Sequence, residues 1–420
     1  MSGPAAGLAA SKAPPFMLPG EHFTAAVAFL VLGAIGAVVI APDLAAGAFP
    51  SPRVVGVTHL FTLGWITTSI MGALYQFLPV ALGEPIRSVR AAHVGFCLYV
   101  PGFAAFVTGL LAGSTALMTA GALPLGAGVL VFVVNLGATL RRATRRDVTW
   151  WALAGADLFL VVTLVLGLAL AGNLRWPYLG GSRLLAVGTH LHVALGGWVL
   201  LVMVGVSNRL LPMFLLSHGA GDRFARAAVG LLAAGAGTLA LGHHGPPIVS
   251  RWLPAALLGS GVIAFLLQAR KFYRHRHRPA LDPGMRLAAG ALGVLAIALL
   301  LAAPAMLFDG PPRLATAYVM VLILGISLFV AAHYYKIIPF LVWYHRFGPL
   351  AGKRRVPSVS ELYSARHATA AGALLLLGTL TLAAAAALGV PVAARIGALL
   401  LAAGAMIEAG QMLALSRTTP

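Results

Sequence analysis

Five of the 13 histidines in this sequence lie in or beside strongly apolar segments, at the end that we expect to face away from the cytoplasm: His59, His190, His192, His243 and His244. Ionisable side chains are costly in lipid, so each of them is a candidate functional residue. Imidazole is a good ligand for iron and copper. Two imidazoles from neighbouring helices can bind a haem b iron axially, and three can hold a copper ion. A structural histidine, hydrogen-bonded within a helix bundle, is the alternative for each.

Spacing separates these histidines from one another. His190 and His192 are two residues apart, about 200° around a helix, so they face different neighbours. His243 and His244 precede Gly245 and two prolines. That pair could therefore end a helix at the water interface instead of binding metal.

Two carboxylates, Asp157 and Glu408, also lie within apolar segments. A carboxylate in this setting can begin a proton path to a buried site. An interfacial carboxylate paired with an arginine is the alternative, with Arg142 or Arg146 as the partner of Asp157.

The segment from His333 to Lys336 combines a histidine, two tyrosines and a lysine near the end of another apolar segment. It could bind a haem propionate or a quinone headgroup. Because tyrosines collect at membrane interfaces and lysines reach towards headgroups, we expect this segment to anchor its helix at the interface.

The elements that carry these residues are membrane-spanning helices. Apolar residues make up 60% of the 420 residues and charged residues only 9%, against roughly 25% charged in soluble domains. The mean hydropathy is +0.93. These values exclude a soluble enzyme, a disordered chain and a secreted disulfide scaffold. The single cysteine, Cys97, can form neither an intramolecular disulfide nor a thiolate metal site.

A membrane-spanning helix needs about 20 mainly apolar residues. The sequence therefore predicts an all-α, polytopic membrane protein, with residues 1–420 as a single integral membrane domain. The twelve predicted spans are 23–42, 54–80, 92–112, 118–140, 150–172, 184–213, 226–243, 252–270, 285–306, 315–342, 367–388 and 390–413.

Basic residues predict the orientation of these spans. Of the 29 lysines and arginines, 22 fall in alternate loops or at the two termini, and six fall in the loops on the other side. Positive residues concentrate in cytoplasmic loops. We therefore expect a bacterial inner-membrane protein with both termini in the cytoplasm. The net charge of +19 then reflects contact with the lipid bilayer and not a nucleic-acid partner.

Predicted spans 2 and 6 share an internal repeat. When His59 is placed over His192, Trp65 meets Trp198 and Pro79 meets Pro212. Pro339 in predicted span 10 falls on the same register, with Val319 at the histidine position. A period of four spans, repeated three times, predicts a pseudo-threefold arrangement of three four-helix repeats, and parallel repeats of this kind occur in membrane proteins.

These features resemble the catalytic subunit of haem–copper oxidases and nitric-oxide reductases. The segment MGALYQFLPVALGEP after His59 is similar to the segment that follows the span-2 haem ligand of that family. The resemblance implies that His59 is a haem ligand. It also implies that His192 or His190, together with His243 and His244, are copper ligands. The implied function is respiratory electron transfer or the binding or reduction of O2 or NO, with a quinol or a cytochrome as electron donor.

The sequence departs from the family pattern in two places. The outer part of predicted span 10, residues 315–325, has no histidine, and Gly196 replaces the tyrosine four residues after the span-6 histidine. Three alternatives therefore stay open. They are a related membrane haem protein of the nitric oxide response, a catalytically degenerate member acting in assembly or sensing, and a twelve-span transporter.

Overall fold

The computed structural model of the chain describes residues 14–180, 183–242, 245–307 and 310–419. Over these residues the chain is helical and contains no β-strand, only isolated bridges. Twelve helices are long and apolar enough to span a membrane, which confirms the predicted fold class. They are α1 Met17–Val39, α2 Pro52–Leu82, α3 Val89–Ala112, α4 Thr115–Arg142, α5 Val148–Arg175, α6 Arg183–Leu215, α7 Arg223–Leu241, α8 Ile248–Arg274, α9 Pro283–Met306, α10 Pro312–Leu350, α11 Ala365–Leu388 and α12 Pro391–Arg417.

Most of these helices extend beyond the apolar segments that predict them. Helix α4 continues to Arg142 and places two arginines in its last turn, where cations interact favourably with the helix dipole. Helix α10 continues to Leu350, eight residues past its predicted end. Hydropathy falls at the first charged residues, but backbone hydrogen bonding continues through them, so the helices are longer than their apolar parts.

Short polar side chains set where several helices begin. Ser51 accepts a hydrogen bond from the backbone N–H of Val54 at the start of α2, and Asp282 accepts one from Met285 at the start of α9. These N-caps satisfy backbone donors that have no partner within the helix. Asp282 consequently has a fixed position at one end of α9.

The chain divides into two compact units, and the division falls within α1 and α2. Unit 1 comprises Met1–His22 and Ile70–His277, and unit 2 comprises Phe23–Ser69 and Arg278–Pro420. In unit 1 the pairs α3–α4, α5–α6 and α7–α8 pack together. In unit 2, helix α10 packs against α9, α11 and the middle of α2. The single domain and the threefold arrangement of repeats stay predictions.

Helix α10 forms the centre of unit 2. Every residue from Ala315 to Tyr335 is buried except Val330. An all-round apolar helix is expected in the interior of a bundle. The expectation that His333, Tyr334 and Tyr335 anchor the helix at the membrane interface is therefore wrong, because all three side chains are buried within the protein.

Glycines allow the closest helix pairs to form. A Cβ at Gly102 of α3 would lie 2.4 Å from the backbone nitrogen of Leu125 in α4, and one at Gly378 of α11 would lie 2.5 Å from that of Leu401 in α12. Small residues permit such backbone approach, and van der Waals packing replaces the hydrophobic effect as the force between helices in lipid. Close packing at glycines holds α11 against α12, and this packing fixes the position of Glu408, which lies in α12.

Candidate functional site

Helices α2 and α6 each contain a π-helical segment directly after a histidine. Helix α2 is α-helical over Pro52–His59, π-helical over Leu60–Thr67 and α-helical again over Thr68–Leu82. Helix α6 repeats this order, with α-helix up to His192, an eight-residue π-helix from Val193 to Leu200, and a second α-helix of the same length as in α2. In each case the histidine is the last residue before the π-helix.

Each of the two histidines therefore lies at a junction between α-helix and π-helix, which is an uncommon backbone geometry. Long π-helical segments are rare, and π-bulges within α-helices are frequent at functional sites. Helix α10 is α-helical from Pro312 to Val342, with a π segment only at Trp343–Phe347. The local repeat at the histidine therefore covers α2 and α6 only.

Helices α2, α6 and α10 share the position of a proline near the end of their α-helical part. Pro79, Pro212 and Pro339 each lie three residues before the last α-helical residue, which is Leu82, Leu215 or Val342. The register that the sequence predicts for the three prolines is confirmed in local structure.

The two imidazoles are oriented by the same local hydrogen bond. Nδ1 of His59 lies 2.7 Å from the carbonyl oxygen of Val55, and Nδ1 of His192 lies 2.7 Å from that of Gly188. Because a carbonyl can only accept, Nδ1 carries the proton and donates it, and Nε2 holds the lone pair. Both residues are half-buried.

Two further histidines make the same bond but differ in exposure. Nδ1 of His22 lies 2.8 Å from the Leu18 carbonyl oxygen, and Nδ1 of His333 lies 2.8 Å from that of Phe329. These two side chains are only 2% and 6% exposed. The hydrogen bond alone therefore does not mark a ligand. The π junction and the intermediate burial of the residue distinguish His59 and His192.

A tryptophan is buried in each π segment, six residues after the histidine. Trp65 is fully buried, with its ring centroid 4.6 Å from that of Tyr334. Trp198 is 2% exposed, and its centroid lies 6.0 Å from that of Phe132. These aromatic contacts hold the irregular segments in place.

Of the other predicted metal ligands, the structure describes only His190. His190 lies against α5, where a Cβ at Gly167 would come within 3.0 Å of its Cε1. His243 and His244 lie outside the described residues. Over residues 14–180, 183–242, 245–307 and 310–419, no group of three His, Cys, Asp or Glu side chains could hold a metal ion. The copper site stays a prediction.

Asp157 lies between α4 and α5 in unit 1. A Cβ at Gly137 would be 3.0 Å from its Oδ2, so the glycine makes room for the carboxyl. Its Oδ1 is buried without a hydrogen bond. Arg141 is the cation whose charge acts on it, whereas Arg146 stacks on the ring of Trp150 at 5.0 Å. The alternative, an ion pair of Asp157 with Arg142 or Arg146, does not form among the described residues.

Glu408 belongs to a second cluster of polar groups, which lies in unit 2. Its side chain has no solvent exposure. Tyr335 and Tyr334 of α10 are its polar neighbours. The Tyr334 hydroxyl is 2.7 Å from the Ser69 hydroxyl. Sequence reasoning did not identify the two tyrosines and Ser69 as interior groups. The sequence of α10 has no polar face, and this could have indicated that its two tyrosines are buried.

A small, partly open apolar pocket also lies in unit 2. Val57, Thr58 and Phe61 line it from α2, and the remaining walls come from α1, α10, α11, α12 and the helix Ala41–Ala45. No ionisable side chain lines it. Its α2 wall is formed by residues that flank His59 in sequence.

No protein-family model matches this chain, and no curated protein matches it significantly. The fold and the local geometry are therefore the observations on which a function can be built. They establish a polytopic helical membrane protein with twelve candidate spans.

Proposed function

We propose that this chain is an integral membrane haem protein in which His59 and His192 each provide an axial ligand through Nε2. One observation carries the proposal. Both histidines end an α-helical segment immediately before an eight-residue π-helix, with the same hydrogen bond from Nδ1. Two elements of one chain thus present the same side chain in the same local geometry.

The donor chemistry fits haem iron. Imidazole nitrogen is a common axial ligand of haem. A metal-bound histidine usually donates its second ring nitrogen to a carbonyl or carboxylate, which fixes the ring and raises the basicity of the ligating nitrogen. The carbonyls of Val55 and Gly188 accept such a bond. Haem b, when bound, would supply one-electron transfer or the binding of a diatomic gas.

The surrounding residues of the chain have separate roles. The backbone carbonyls orient the two rings, and the buried Trp65 and Trp198 exclude water from the π segments. Since each histidine belongs to a different unit, the proposal assigns each as a ligand in its own right. A quinol or a cytochrome would be the electron donor, and respiratory electron transfer or O2 or NO chemistry the process served.

An absorption spectrum of purified protein from haem-replete cells tests this proposal. We expect a Soret band in the wild type and a lost or shifted band in His59→Gly and in His192→Gly. Added imidazole should restore the spectrum in part, because it can replace the missing ligand.

Two control variants separate ligation from folding. His333→Ala removes a histidine with the same Nδ1 bond, and His367→Ala removes an exposed one whose Nδ1 faces Ser364 at 2.9 Å. Both should retain the spectrum of the wild type. A haem-replete wild type without a Soret band would contradict the proposal, as would unchanged spectra in both glycine variants.

A further inference from the structure

Glu408 is a fully buried carboxyl group in α12, and neither of its oxygens makes a hydrogen bond of normal geometry. Buried polar groups are almost always paired, and each exception needs a physical explanation. An ionised carboxylate in this position would carry an uncompensated charge in an apolar interior, which costs far more than an unpaired neutral group.

The neighbours of Glu408 provide no compensating charge. Within the described part of the chain, no Lys, Arg or His lies within 4.0 Å of its carboxyl group. Lys336, the residue after Tyr335, is paired with Asp282. Helix α11 contacts α12 near Gly404 and Gln411, on either side of Glu408. Between these contacts it contributes the buried alanines Ala368 and Ala371.

The remaining elements that pack on α12 are α10 and the short helix Ala41–Ala45. The short helix has one ionisable residue, Asp43, which lies 3.9 Å from Arg53. Helix α10 contributes Tyr334 and Tyr335, which interact electrostatically with Glu408. The two tyrosines are therefore the titratable groups that face the carboxyl.

Tyr335 connects this carboxyl to the end of unit 2. Its hydroxyl is buried beside Glu408 without a hydrogen bond of normal geometry. Its ring lies 5.4 Å from the ring of Tyr363, between centroids. Tyr363 is half-buried in the segment between α10 and α11, and burial, followed by the negative charge of Asp282, raises the pKa of its hydroxyl.

Asp282 and Lys336 lie at this same end and remain partly accessible to solvent, at 20% and 14% exposure of their side chains. Arg278 lies 3.5 Å from Asp282. A polar, solvent-accessible group of side chains thus adjoins the Tyr363–Tyr335 contact, and Tyr335 in turn adjoins Glu408.

We propose that Glu408 is a proton-binding site that holds its proton at neutral pH and exchanges it with solution through Tyr335. In exchange, the Glu408 carboxyl releases its proton to the Tyr335 hydroxyl oxygen as that hydroxyl gives its own proton to a water molecule that enters from the Asp282 end. The reverse movement reloads the carboxyl, so charge and atoms balance. The site does not depend on the haem ligation proposed for His59 and His192.

Infrared spectroscopy of the whole protein in lipid measures this directly. A protonated carboxyl has a C=O stretch well separated from the bands of a carboxylate, and the stretch moves to lower frequency in D2O. The sequence has four glutamates, Glu21, Glu84, Glu361 and Glu408. Carbon-13 labelling of glutamate alone therefore separates their bands from those of the aspartates.

We expect the labelled wild type to show a protonated glutamate band at neutral pH and Glu408→Gln to lose it. The matched control is Glu361→Gln, because the exposed Glu361 carboxylate accepts a hydrogen bond from the Ser358 N–H at 2.7 Å. This control should keep the band. Tyr335→Phe should also keep it but should slow its exchange in D2O severalfold.

Three results would overturn the proposal. They are a labelled wild type with only carboxylate bands at neutral pH, a band that survives in Glu408→Gln, and exchange in Tyr335→Phe as fast as in the wild type. If Glu408→Gln does not fold, Glu21→Gln in the labelled protein replaces it. The protonated band should then persist, and its loss would assign the proton to Glu21 and refute the site at Glu408. None of these infrared measurements requires bound haem, so they test Glu408 independently of the proposed haem ligation.

Discussion

At the scale of single residues, local hydrogen bonding decides what each histidine can do. His22, His59, His192 and His333 all donate from Nδ1 to a carbonyl four residues earlier. This bond is the normal way for a helix to satisfy a histidine in an apolar setting. Burial then separates the four, because His59 and His192 are half-buried whereas His22 and His333 are buried.

The hydrogen bond between Ser69 and Tyr334 gives a prediction at this scale. Both side chains are 2% exposed. Ser69→Ala leaves the Tyr334 hydroxyl buried without this partner, which should cost about 1–3 kcal/mol of unfolding free energy. Thermal or denaturant unfolding in detergent measures the change.

A double variant and a surface variant complete this test. Adding Tyr334→Phe to Ser69→Ala removes both partners, so the double variant should lose less stability than the sum of the two single variants. Ser360→Ala, at an exposed serine, should change stability by less than about 0.5 kcal/mol. Additive losses would show that the Ser69–Tyr334 bond contributes nothing.

At the scale of elements, two structural features position the candidate sites: the π segments of α2 and α6, and the glycines of α11 and α12. The π segments of α2 and α6 change the rotation of the helix directly after His59 and His192. The side chains before and after the histidine therefore have a relative orientation that a continuous α-helix does not allow. Glycines in α11 and α12 allow these helices to approach closely and hold Glu408 in the interior.

The close approach of α11 and α12 can be tested with two glycines of the same helix. A Cβ at Gly397 would lie 2.5 Å from the backbone nitrogen of Leu382, whereas one at Gly410 would have nothing within 4 Å. Gly397→Ala should destabilise the protein by about 1–3 kcal/mol, as overpacking usually does. Gly410→Ala should be neutral or slightly stabilising, because alanine has the higher helix propensity. Equal melting temperatures of the two variants would contradict this account of the packing.

At the scale of the whole molecule, twelve apolar helices and an uneven distribution of basic residues define the protein. Of its 29 lysines and arginines, 22 lie on the side that the charge pattern assigns to the cytoplasm. This asymmetry sets the orientation of membrane proteins during insertion.

Reporter fusions along the chain test the orientation. Fusions after Arg146, Arg278 and Arg355 should report a cytoplasmic location, and fusions after Arg175 and Arg313 a periplasmic one. Each point lies between spans or at the end of a span, so the reporter does not interrupt an apolar segment. Two reversed readings would refute the orientation with both termini in the cytoplasm.

The sequence by itself determines the class of the protein, the number of its spans and the register of its repeat. Apolar segments of spanning length are local properties, and all twelve predicted spans are helices in the structure. The correspondence of Pro79, Pro212 and Pro339 is also local, because each proline lies in the last α-helical turn of its element.

Tertiary structure decides what surrounds the polar groups, because burial depends on residues distant in sequence. The charge pattern places His333, Tyr334 and Tyr335 near an interface, but packing against α9, α11 and α2 buries them in the centre of unit 2. Asp157 and Glu408 are alike in sequence. Only the fold makes one half-buried and beside a glycine, and the other fully buried beside a tyrosine. No pattern of apolar residues predicts the π segments after His59 and His192, because hydropathy does not distinguish a π turn from an α turn.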